Sequence, residues 1–185
     1  MYGEVLNKGK VTLITGPMFS GKTTALMNYI NKAQHAGLKC LIIRHIIDNR
    51  HPPSILQTHG GHKIKEDKHS LFIITDSLFN ISTISDIICV EEGQFFDDIA
   101  EACHNWAKSG KQVYVTALDG NSDQKMFEPI IKLIPYCDDI EKHHSVCMKC
   151  KRKSASFTVK KEETGPGIVV GGACMYSSVC RTCLN

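Results

Sequence analysis

Three groups of residues in this 185-residue chain carry chemistry in their spacing. Gly16-Pro17-Met18-Phe19-Ser20-Gly21-Lys22-Thr23 spells the phosphate-loop pattern G-x-x-x-x-G-K-S/T. In such a loop the backbone N–H groups turn inward to phosphate oxygens, and the glycines let the main chain come close. Lys22 would carry charge to the outer phosphates, and the Thr23 hydroxyl would bind magnesium. Second, the apolar run Ile87-Ile88-Cys89-Val90 turns abruptly acidic at Glu91-Glu92. On a strand beside the first one, such an acid arrives next to the magnesium and completes a nucleotide site. Third, Cys147-x-x-Cys150 and Cys180-x-x-Cys183 are two knuckles able to supply four thiolates to one tetrahedral zinc. Their separation exceeds common ribbon spacing, so the chain between them makes an excursion. His143 or His144 could replace one thiolate, but both knuckles are already complete.

The elements that must position these groups follow from periodicity and punctuation. Val11 to Thr15 reads as a strand leading into the loop. Thr23 to Ala36 reads as a helix leaving it, with Leu26, Met27, Ile30 and Ala33 near helical spacing and Gly37 as its stop. Further strands are expected at Lys39 to His45, Ser70 to Thr75, Ile84 to Val90 and Gln112 to Leu118, with helices at Asp97 to Ser109 and Phe127 to Ile134. Pro129 is tolerable only in the first turn of that last helix. His51 to Lys68, with Pro52-Pro53 and Gly60-Gly61, has loop composition. The alternation predicts an α/β domain with a mainly parallel central sheet flanked by helices. Ligands bind such sheets at the strands' carboxyl ends, where the phosphate loop, Asp48, Glu91-Glu92 and Asp119 would lie. Beyond it, Ser156 to Lys160 and Ile168 to Val170 read as strands around the turn Gly165-Pro166-Gly167. The expected division is a nucleotide-binding domain over residues 1–142 and a small zinc-anchored domain over 143–185.

Composition narrows the classes. A 42% hydrophobic content suffices for a packed core. No apolar run approaches the roughly 20 residues of a membrane span. Met1 to Lys10 lacks a signal-type segment, so a cytoplasmic protein is expected. Of nine cysteines, Cys40, Cys89, Cys103 and Cys137 sit in apolar or helical stretches and read as small buried hydrophobes. The other five crowd into 147–183, and an odd total without a secretion signal argues for metal over disulfides, with Cys174 left as a structural thiol. Residues 1–146 carry a net charge of −2 and residues 147–185 one of +5.

Taken together, GPMFSGKT (16–23), EEGQFF (91–96), LDG (118–120), the paired knuckles and VVGGACMYSSVC (169–180) resemble the zinc-containing, cytosolic (type II) thymidine kinases over nearly the whole chain. The resemblance implies a P-loop NTPase-like domain with a C-terminal zinc-binding lasso. It implies transfer of the ATP γ-phosphoryl group to the 5′-hydroxyl of thymidine with Mg²⁺, in nucleotide salvage for DNA synthesis. Glu92 would be the general base. Glu91, standing where relatives carry Asp, would act on Mg²⁺ with Thr23. Asp48, Arg50 and Gln94 map to phosphate-side positions, Arg50 offsetting charge that develops in transfer. Met18, Leu118 and Thr158 would lie near the thymine methyl, and Phe95 and Phe127 near its ring or sugar. Val169, Val170, Gly171 and Tyr176 belong to the lasso that closes over the nucleoside. The family also implies a homotetramer and feedback inhibition by thymidine triphosphate. Ser122 departs from the pattern, standing where relatives have an aromatic residue, and 151–157 carries one extra residue.

The rival reading is a nucleic-acid-binding ATPase whose basic tail grips phosphates. Against it, Lys149, Lys151, Arg152 and Lys153 form one short basic run with little aromatic interleaving.

Overall fold

The computed structural model describes residues 8–49, 51–58, 60–161 and 175–184. Its framework alternates β1 (Lys10–Gly16), α1 (Lys22–His35), β2 (Cys40–His45), a hairpin of β3 (Ile55–Gln57) and β4 (Lys63–Lys65), β5 (Ser70–Thr75), β6 (Ile87–Glu91), α2 (Ile99–Lys108), β7 (Gln112–Leu118), α3 (Glu128–Leu133) and β8 (Asp139–Lys142). Among the described residues, six of these strands form one sheet in the order β5-β2-β6-β7-β1-β8, every pair parallel. This is the mainly parallel sheet that the alternation predicts.

Parallel strands buried on both faces must be apolar at nearly every position, and period-2 alternation then divides their side chains between two cores. Val11 and Leu13 of β1, Leu41 and Ile43 of β2, and Ile88 and Val90 of β6 pack with Ile99, Cys103 and Trp106 of α2. Ile14, Cys40, Ile42, Ile87 and Cys89 point the other way, against Leu26, Met27, Ile30 and Ala33 of α1. Cys40, Cys89 and Cys103 are thus core residues, while Cys137 is half-buried.

Three features differ from expectation. The stretch 51–68 is not loop throughout: Leu56 and Ile64 face each other across the β3–β4 hairpin and enter the core under α1. Its strands are three residues each, too short for alternation to show. The edge strand β8 reads as polar sequence, Asp-Ile-Glu-Lys, because Ile140 is half exposed and the strand is held chiefly by its ladder to β1. And β6 is not beside β1; β7 lies between them.

After β8 come short antiparallel pairs, β9 (Ser145–Val146) with β10 (Ser154–Ala155) and β11 (Phe157–Lys160) with β12 (Tyr176–Val179), then α4 (Arg181–Leu184). Cys147, Ala155, Val179 and Cys180 form a small core of their own. The expected strand at 168–170, the turn at 165–167 and Cys174 lie outside the described residues. Among the described residues no helix is long and apolar enough to cross a membrane.

Candidate nucleotide site

The site starts at the carboxyl end of β1. Gly16 has φ +145°, and a Cβ there would lie 2.4 Å from the His143 carbonyl oxygen, so a side chain is excluded by both backbone and neighbour. The loop ends at Gly21, left-handed at φ +82°, which caps α1. That helix has no side-chain N-cap and no acid in its first turn. The positive end of its dipole therefore faces the loop with no acidic side chain of its own first turn against it, as suits an anion. Lys22, 8% exposed, folds back so that Nζ donates to the carbonyls of Gly16 at 3.1 Å and Pro17 at 2.8 Å.

The acids arrive from β6. Glu91 is 5% exposed, and its Oε1 accepts the hydroxyl of Thr23 in the first turn of α1 at 2.9 Å, although β7 lies between β6 and β1. A hydroxyl and a carboxylate are hard oxygen donors of the kind Mg²⁺ takes. Glu92 adopts a left-handed conformation, φ 53° and ψ 50°, uncommon for a residue with a side chain. Its N–H donates to Thr116 Oγ1 at 3.2 Å, and its Oε2 accepts Gln94 Nε2 at 2.6 Å. Gln94 Oε1 in turn accepts the Leu118 N–H at 3.2 Å. Two strand ends thus fix the turn that presents Glu92. Gly93 allows this packing, since a Cβ on it would meet Val115 Cγ1 at 2.5 Å.

Met18, Lys22, Thr23, Glu91, Glu92 and Leu118 line one cleft of about 440 Å³. Its remaining wall comes from the hairpin region, His51, Gln57, Thr58 and Gly60, which composition had marked as loop. Other expected residues are placed around this cleft rather than in its lining. Asp48 is buried against Arg44 (3.4 Å). The Phe95 ring lies beside His45, with centroids 5.9 Å apart. Phe127 packs against the main core. Thr158 accepts the Met18 N–H at 3.0 Å, and Tyr176 pairs with Lys160 in the β11–β12 hairpin. Arg50, Val169, Val170 and Gly171 lie outside the described residues. Ser122 sits in a turn, its carbonyl accepting Gln124 Nε2. Sequence reasoning missed Arg44 and Thr116; the signal was a polar residue near the end of each otherwise apolar strand.

Some way along the chain, the sulfurs of Cys147, Cys150, Cys180 and Cys183 lie within 4.8 Å of one another. The backbone amide of Cys150, aided by those of Cys180 and Lys149, holds the Cys147 thiol down to about 6 against the effect of burial. Cys183 is pushed up to about 12, first by its hydrogen bond to Cys180 and then by burial. Four sulfurs gathered this closely could hold a metal ion such as zinc. His144 is instead 3.1 Å from Ser156 Oγ, and His143 is 3.7 Å from Glu141.

A helix with no side-chain cap behind a glycine loop, at the carboxyl end of an all-parallel sheet, puts the chain among the phosphate-loop nucleotide-binding α/β proteins. The comparisons narrow this class. The family model described as "Thymidine kinase" matches residues 9–184. The chain is 40% identical over 179 residues to bovine "Thymidine kinase, cytosolic", covering 95% of this chain and 72% of that one. It is 40% identical to the thymidine kinase of Vaccinia virus strain Ankara (96% and 98% covered) and 41% identical to that of Amsacta moorei entomopoxvirus (95% and 97%). Among solved structures, the Legionella pneumophila ATPase DotB superposes loosely, with TM-score 0.44 and 13% identity over 82% of this chain and 45% of that one. The chain belongs to the thymidine kinase family and is an enzyme of that family.

Proposed function

We propose that the enzyme transfers the γ-phosphoryl group of ATP to the 5′-hydroxyl of thymidine, with Glu92 as general base. The observation that carries this reading is that one cleft is lined by both the phosphate loop and the strand end bearing Glu92. ATP phosphates would occupy the loop beneath the first turn of α1. Lys22 would exchange the carbonyls of Gly16 and Pro17 for phosphate oxygens, a short movement because it already curls over the loop. Thr23 and Glu91 would hold Mg²⁺, which neutralises charge on the phosphates. Glu92, oriented by Gln94 and Thr116, would accept the proton of the attacking hydroxyl. Met18 and Leu118 offer apolar surface in the same cleft for a pyrimidine and its methyl group. The roles of Asp48 and Arg50 toward phosphate, and of Phe95, Phe127, Thr158, Val169, Val170, Gly171 and Tyr176 toward the nucleoside, are carried by the family resemblance.

The division into a nucleotide-binding domain (1–142) and a zinc-binding domain (143–185) is supported by the separate small core around the cysteines. Zinc there would be structural, held by the four thiolates. Family membership supports three further parts of the proposal: a homotetramer, feedback inhibition by thymidine triphosphate, and a cytoplasmic location, the bovine relative being named cytosolic.

The test is labelled ATP with each of the four deoxynucleosides, comparing wild type with Glu92→Gln. Thymidine should become labelled, and the variant should lose about 10²- to 10⁴-fold in rate. Unlabelled thymidine, or a fully active variant, would sink this reading. Nucleic-acid-stimulated ATP hydrolysis in its place would favour the rival ATPase.

A further inference from the structure

Behind the cleft a guanidinium is buried at the end of β2. Arg44 is 1% exposed, and such a charge is costly to bury unless its partners are well placed. Its Nη1 donates to the carbonyls of Pro52 at 2.9 Å and Ile55 at 3.1 Å. Its Nη2 donates to the Asp48 carbonyl at 3.0 Å and faces Asp48 Oδ2 at 3.4 Å. Its Nε lies 3.8 Å from Glu91 Oε2. The segment held by this fork is the root of the β3–β4 hairpin, whose Gln57 and Thr58 wall the cleft. The carboxylate it faces is the one whose other oxygen accepts the Thr23 hydroxyl.

We propose that Arg44 is a positioning residue that couples the hairpin wall to Glu91 and so sets the affinity of the site for the magnesium–nucleotide complex without touching it. This rests on the reading of Thr23 and Glu91 as the magnesium side of the site. A planar fork can bind several carbonyls and still present Nε to a carboxylate, which a lysine cannot do. At 3.8 Å the pair is an attraction between charges rather than a hydrogen bond, so the guanidinium biases the position of the Glu91 carboxylate. Groups that orient metal ligands in this way commonly change metal affinity by about 10- to 100-fold when removed.

The experiment titrates Mg²⁺ into full-length protein with a fluorescent, non-hydrolysable ATP analogue, using wild type, Arg44→Met and Arg44→Lys. The Mg²⁺ concentration for half-maximal binding should rise about 10- to 100-fold in Arg44→Met and by less in Arg44→Lys. Binding of the analogue without Mg²⁺ should change little, because Lys22 and the loop are intact. Hydrogen exchange at the Ile55 and Thr58 amides should quicken in both variants. An unchanged Mg²⁺ requirement overturns the proposal, as does an equal loss of binding with and without Mg²⁺, the mark of a merely structural role. Should Arg44→Met fail to fold, Arg44→Lys decides by the same two readouts. A wild type that binds the analogue but leaves thymidine unphosphorylated overturns the proposed activity and leaves the Arg44 result readable. A wild type that does not bind the analogue overturns both.

Discussion

The Met18 amide, in the phosphate loop, donates a 3.0 Å hydrogen bond to the hydroxyl of Thr158, 140 residues further along the chain. This contact joins the loop at the end of β1 to the β11–β12 hairpin, whose far end runs into the cysteine cluster. Thr158 is 4% exposed, so no water readily replaces it. Thr158→Val keeps its shape and removes the acceptor. The variant should lose about 1–3 kcal/mol of stability in denaturant melts, the cost of a stranded N–H. Thr158→Ser should remain close to wild type. If the two melt alike, the contact does not hold the loop.

Metal analysis should find about one zinc per chain, and Cys180→Ser should abolish it. Thermal melts of that variant should show early loss of the small C-terminal core, since Val179 and Cys180 lie in it. Thymidine affinity should fall more than the binding of Mg-ATP, because the phosphate loop rests mainly on the parallel sheet and is tied to this region by the Met18–Thr158 hydrogen bond. Equal loss of both affinities would mean that the two regions do not act separately.

Gly93→Ala should cost about 1–3 kcal/mol by overpacking, because the new Cβ meets Val115 Cγ1 at 2.5 Å. The strain falls on the turn carrying Glu92 and Gln94, so kcat should drop with it. Adding Val115→Ala opens the space. A double-mutant cycle should then give a coupling of about 0.5–3 kcal/mol, whereas strict additivity would show that Gly93 is not confined by Val115.

Burial pushes the Cys40 thiol up to about 12 and that of Cys137 to about 11. A pKa raised in the folded state contributes stability that is intact below the unfolded value of 9 and lost as pH climbs through the folded one. Melting temperature under reductant should therefore fall progressively from about pH 9 upward. Cys137→Ala should flatten part of that slope, and an unchanged slope in this variant would remove Cys137 as a source.

How much of this was legible depended on how local each cause is. The strand, loop and helix over residues 11–36 are written in a motif, an apolar run and a stop glycine, all within one stretch of chain. β5 and β7 occur where the apolar runs begin and end. β8 was illegible because an edge strand has one neighbour to satisfy and needs few apolar residues. Strand order was illegible as well: nothing between 87 and 118 says that β7 will insert between β6 and β1. Arg44 escaped notice because a single arginine in a strand reads as an exposed one, and its partners come from residues 48–55 and from Glu91. The pairing of Met18 with Thr158 is likewise a property of the fold rather than of either segment. The four cysteines were legible at any distance, since their spacing alone implies that they meet.

The insertion of β7 has one more consequence. Strand spacing of about 4.8 Å puts the carboxyl ends of β1 and β6 roughly 10 Å apart, whatever the side chains are. The span between phosphate loop and acid is therefore built into the backbone, while the apolar surface proposed for the acceptor is built from exchangeable side chains, Met18 and Leu118 among them. Reach and taste are separate inheritances in this frame: on the proposed reading, the choice of acceptor is open to retuning without disturbing the span from phosphate loop to acid.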